Sequence, residues 1–94
     1  MPELDPIIHA PNRLRICAML ATSAELDFRL LKAQLDVSDS VLSKQLKALE
    51  DANYIEAKKR SYNGRPRTWV SLTDLGQLAF NNHVAALKSI INND

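Results

Sequence analysis

Three observations predict a mainly α fold with a small β-hairpin (α+β) for this chain. Leu42, Leu46 and Leu49 recur at i, i+4 and i+7, the spacing of one buried helical stripe. Asn63-Gly64, a strong turn signal, separates two weakly alternating runs, Ile55 to Ser61 and Thr68 to Leu72. After Thr73 a helical pattern continues to the end of the chain. The predicted order is helix, helix, helix, hairpin, long helix, in a single domain over residues 1–94.

Leu4 to His9 is a short apolar lead-in, with Pro6 and Pro11 limiting any helix there. A first helix starts at about Pro11, which suits a first turn, and runs to about Ser23. Leu14, Cys17, Ala18 and Ala21 make one apolar stripe on it, and Ile16 and Leu20 make another, so it is expected at the centre of the core. Glu25-Leu26-Asp27 interrupts, and Asp27 can cap a second helix from Phe28 to Leu35. Asp36-Val37-Ser38 is a tight link, and Ser38 can cap the third helix, with Asp39 at its positive end. The two short helices make a helix-turn-helix over about 27–52. Asn53 can take the left-handed conformation that ends the third helix.

Opposite the leucine stripe, the third helix carries Ser40, Ser43, Lys44 and Lys47. The hairpin, over about 54–72, is basic at its tip. Lys58, Lys59, Arg60, Arg65 and Arg67 fall within ten residues that hold no acid, although the net charge of the whole chain is only +1. A basic patch on an otherwise acidic body orients a molecule towards a polyanion. The bland alternative is a solvated hairpin tip whose cations blunt a sheet edge. A polar helix face beside a basic tip suits a DNA groove and its neighbouring phosphates. The expected contacts are Asp39, Ser40, Ser43, Lys44, Gln45 and Lys47 on the helix, with Lys58, Arg60, Arg65 and Arg67 on the hairpin. Pro66 favours an extended Arg65, and Gly64-Arg65-Pro66 resembles the core of AT-hook peptides. Trp69 is expected to pack within the hairpin rather than to stack on bases.

Four stretches together resemble the winged-helix regulators of the MarR type, and more closely the small stand-alone winged-helix domains of bacterial and archaeal transcription factors. They are Leu4-Asp5-Pro6-Ile7-Ile8-His9 with Arg13-Leu14-Arg15-Ile16; Leu42-Ser43-Lys44-Gln45-Leu46-Lys47-Ala48-Leu49-Glu50; Asn53-Tyr54-Ile55; and Leu72-Thr73-Asp74-Leu75-Gly76. The similarity spans residues 4 to about 80 and departs from the family at Asn53, where glycine is usual. It implies a winged helix-turn-helix with a recognition helix at Asp39 to Lys47 in the major groove of double-stranded DNA. It also implies a wing at Tyr62 to Arg67 on the backbone or minor groove, and a homodimer.

The last helix, over about 73–92, carries two apolar stripes. Leu75, Leu78, Ala79, Asn82 and Ala86 are expected to face the core. Phe80, Val84, Leu87 and Ile91, at spacings of four, three and four, are expected to form the seam of a homodimer bound to a palindromic operator; the alternative is that this stripe folds back on Leu4, Ile7 and Ile8 as intrachain core. The place for any small-molecule effector is a dimer groove between the first and last helices, but no residue names one. No catalytic constellation, cofactor motif or metal-ligand spacing is present, and no run suits a membrane span. Met1 to Asp5 lack the pattern of a secretory signal, and the lone Cys17 fits packing in a reducing cytoplasm. The competing reading is a winged-helix protein-interaction module, which requires an apolar patch where Ser43, Lys44 and Lys47 lie.

Overall fold

Pro11 stands at the first position of α1 (Pro11–Ala21) in the computed structural model, which describes residues 3–92. β1 (Leu26–Asp27), α2 (Phe28–Leu35), α3 (Asp39–Asp51), β2 (Ile55–Tyr62), β3 (Arg65–Leu72) and α4 (Asp74–Asn92) follow. The caps form as their residues dictate. The Asp27 carboxylate accepts from the Arg29 N–H at 3.0 Å, and Ser38 Oγ accepts from the Val41 N–H at 3.2 Å. Thr73 Oγ1 accepts from the Gly76 N–H at 2.9 Å. Asp36 ends α2 and Asn53 follows α3, both left-handed, with φ of 54° and 62°. Asn63 and Gly64, at φ of 51° and 77°, make the two-residue turn that joins β2 to β3.

Ile16, Cys17 and Leu20 of α1 meet Leu31 and Leu35 of α2, Leu42, Leu46 and Leu49 of α3, and Ile55 and Val70 of the hairpin in one apolar core. Burial pushes the Cys17 thiol up to about 11, so it is a packing residue and a poor nucleophile. Ala18, expected on the apolar stripe, is exposed. Among the described residues, no helix is long and apolar enough to cross a membrane.

Two features depart from the expectation. The hairpin keeps its expected limits but its strands are longer, because β2 runs to Tyr62 and β3 begins at Arg65, and it gains a third strand: Leu26 and Asp27 pair antiparallel with Val70 and Trp69, giving the sheet order β1-β3-β2. The faces of α4 are also reassigned. Leu75 and Leu78, expected on the core, are 50% and 58% exposed, whereas Phe80, expected on the free seam, packs against the core. Gly76, His83 and Ala86 line the buried face. Val84 and Leu87 are half-buried on its flank, and Ile91 is 77% exposed. Past Ala86 no described residue of α4 is buried, so its end projects beyond the core.

His83 is the one buried polar side chain among the described residues, and it ties three segments together. Its Nδ1 accepts from the Asp5 N–H at 2.9 Å, and its Nε2 lies 3.4 Å from Nδ1 of the exposed His9. The Asp5 carboxylate accepts from the Tyr54 hydroxyl at 2.6 Å and from the N–H groups of Ile7 and Ile8. The lead-in, the joint between α3 and the hairpin, and α4 thus share one polar network. Burial and the neighbouring His9 hold the His83 pKa below its usual value, against the opposing pull of Asp5. A neutral Nδ1 is required to accept from Asp5, so protonation breaks that bond.

A histidine with a lowered folded-state pKa adds stability above its unfolded value, about 6.5, and loses it as pH falls through that value towards the folded one. Urea midpoints should therefore fall between pH 7.5 and 5.5. His83→Asn, which keeps an acceptor but cannot titrate there, should be less stable at pH 7.5 yet show a shallower fall. Equal slopes for the two proteins would contradict this role for His83.

Candidate nucleic-acid interface

The leucines of α3 face inward, and helical geometry then turns Ser40, Lys44 and Lys47 outward, with Ser43 beside them. All four are exposed. Lys44 makes no ion pair among the described residues, whereas Lys47 reaches Asp51 at 3.3 Å one turn on, an exposed contact of small worth. Asp39 pairs with Lys32 of α2 at 2.8 Å. Gln45 lies differently from the expectation. It is half-buried, and its Oε1 accepts from Arg13 Nη1 at 3.0 Å, so its amide is engaged with α1.

The hairpin adjoins this face. Ser43, Leu46, Lys47 and Glu50 of α3 and Ile55, Ala57 and Thr68 of the hairpin line one shallow groove. Side chains alternate along a strand, so the register sorts the wing cations onto two faces. Lys59 pairs with Thr68 and shares the face of Ala57, towards α3. Lys58, Arg60, Arg65 and Arg67 share the opposite face with Trp69 and Tyr62.

There, two arginines already have partners. Arg60 pairs with Glu25 and lies over the Trp69 ring, 5.1 Å from its centroid. Arg67 reaches Asp27 at 2.9 Å and lies over the Tyr62 ring at 4.7 Å. The Asp27 and Arg67 side chains are only 12% and 30% exposed, so this pair is part of the wing's framework. Asp27 holds α2 through one carboxylate oxygen and β3 through the other. Lys58, Lys59 and Arg65 remain as exposed wing cations with no ion pair among the described residues. Lys59 was counted in the basic patch but not among the expected contacts, although its period-2 position relative to the apolar Ile55 and Ala57 marks it as lying on the α3 side. Glu25, Asp27 and Tyr54 were not read as site residues. Their partners lie 35, 40 and 49 positions away, and nothing local signals such pairs.

The profile of the winged helix DNA-binding domain family matches residues 12–91, from the start of α1 almost to the end of α4. The chain belongs to that family. A protein of Methanocaldococcus jannaschii is similar to this winged helix domain, 31% identical over 87 residues that make up 93% of this chain and 95% of that one. The structure of a transcriptional regulator homologue from Pyrococcus horikoshii superposes with a TM-score of 0.87 at 28% identity, over 93% of this chain and 86% of that one. A MarR-family regulator from Porphyromonas gingivalis shares the fold, with a TM-score of 0.71 at 24% identity over 94% of this chain and 85% of that one. Within this winged helix, α2 and α3 form the helix-turn-helix and β2 and β3 the wing.

Proposed function

We propose that this winged helix domain is a sequence-specific regulator of transcription that binds double-stranded DNA as a homodimer and catalyses no reaction. On this reading α3 enters the major groove, where Ser40, Ser43 and Lys44 read base edges and Lys47 assists. Lys58, Lys59 and Arg65 of the wing meet phosphates or the minor groove. Arg60 and Arg67 hold the wing in shape, and Gln45 and Asp39 hold α3 in place.

One observation carries the proposal: an exposed polar face on α3 runs through a shared groove into a hairpin bearing three cations that form no ion pair among the described residues. An interaction module on the same fold needs an apolar patch there, and Ser40, Ser43, Lys44 and Lys47 supply none. Titration of fluorescent duplex at several salt concentrations tests it. Log affinity should fall linearly with log salt, by about 0.9 for each phosphate contact. Affinity independent of salt would contradict the proposal.

The homodimer is supported by what α4 leaves uncovered. Leu75, Leu78 and Ala85 face an open groove of about 690 Å³ also lined by Leu4, Pro6 and Tyr54. At the projecting end, Ile90 and Ile91 are 61% and 77% exposed. A second α4 packed along this side covers both regions and presents the two copies of α3 to a palindromic operator. Sedimentation at micromolar concentration should give twice the 10.5 kDa chain. The double variant Leu78→Asp, Ile91→Asp should sediment as a folded monomer, because both positions are exposed in one copy and a charge is costly only within the interface. A monomeric wild type, or a variant that still dimerises, would contradict this arrangement.

A further inference from the structure

One side chain on α3 does not match its surroundings. Val41 is 38% exposed, the one large apolar residue of α3 in that state, and it lies in the helix's first turn, directly after Ser40 and on the flank next to Lys44. It lies outside the buried core cluster. Its backbone is fixed, because its N–H donates to the capping hydroxyl of Ser38. A β-branched residue in a helix keeps essentially one rotamer, so both methyl groups of Val41 are held in a set direction. In the major groove a thymine differs from other bases by an apolar group, its C5 methyl, and a fixed apolar side chain is the matching partner. The first turns of a recognition helix are also the part that approaches base edges.

We propose that Val41 is a specificity-determining residue that reads thymine by packing on its C5 methyl, so that each bound α3 requires a T at one defined position. The inference rests on the DNA-binding reading above, and names one of its base contacts.

Deoxyuridine differs from thymidine only by lacking this methyl, which makes the test direct. A duplex selected by the protein is resynthesised with deoxyuridine replacing each thymidine in turn. For the wild type, one replacement per bound α3 should weaken binding about fourfold, the loss expected for one buried methyl group at about 1.4 kcal/mol per decade. Val41→Ser, checked for an unchanged fold by circular dichroism, should bind the thymidine and deoxyuridine duplexes alike. If the wild type binds a selected duplex specifically but ignores every replacement, Val41 does not read thymine and the DNA-binding reading survives. The same holds if Val41→Ser keeps the full deoxyuridine penalty. If the wild type selects no sequence at all, both readings fall.

Discussion

Gly76→Ala should unfold or severely weaken this protein. A Cβ added at Gly76 falls 2.0 Å from the backbone oxygen of Tyr54, far inside contact distance, and 2.8 Å from its carbonyl carbon. Neither obstacle is a flexible side-chain end that can swing aside. The start of α4 is also bonded to that joint: the Thr73 N–H donates to Tyr54 O at 3.0 Å, and Thr73 Oγ1 donates to Asn53 O at 2.6 Å. Relieving the clash pulls these contacts apart and disturbs the Tyr54–Asp5–His83 network beside them. Ordinary overpacking costs about 1–3 kcal/mol. A rigid backbone clash belongs at the top of that range or beyond it, against a total stability of about 5–15 kcal/mol. Thermal unfolding at fixed protein concentration should therefore shift down by about 12 °C or more. Gly64→Ala serves as the contrast. Nothing lies within 4 Å of its added Cβ, and only its φ of +77° is unfavourable, so it should cost about 1 kcal/mol. If Gly76→Ala shifts the transition by less than Gly64→Ala does, α4 does not press on the joint as described.

The second large effect separates wing from helix. Replacing Lys58, Lys59 and Arg65 together by alanine should lower the salt slope by about three units and weaken all duplexes alike, because phosphate contacts position without reading sequence. Lys44→Ala should instead cost about 1–3 kcal/mol against one preferred base and change the ranking of sites at that position. Arg67→Ala has a different signature. It leaves Asp27 half-buried without its partner and unpins β3 from the end of β1, so the loss should register in stability as well as in binding. Competition titrations with a panel of single-base variants resolve the three patterns. A wing triple variant that reorders the panel, with the slope unchanged, would transfer sequence reading to the wing.

Local signals carried most of the fold. The limits of α2 and the start of α3 follow from caps, and the turn follows from Asn63-Gly64, because each of these is decided by residues within one or two turns of chain. What escaped was long-range. β1 has two residues, too few to show any alternation, and it exists because Val70 and Trp69 offer it an edge. On α4, spacing alone allows two buried faces. The one chosen is centred on Gly76 and His83, residues that a hydrophobic pattern does not count. That choice turned Phe80 inward and left Leu75 and Leu78 uncovered. In the candidate interface, the polar face of α3 was legible because the leucine stripe defines its opposite. The division of the wing cations was not, because it depends on Glu25 and Asp27, residues outside the hairpin.

The most direct measurement is selection of bound sequences from a random duplex pool by the purified protein at a stated salt concentration. One inverted repeat should be enriched, with half-site centres about one helical turn or a multiple of it apart, as two copies of α3 in a symmetric dimer require. A pool that emerges unenriched, bound no better than the random duplex that entered, would contradict it.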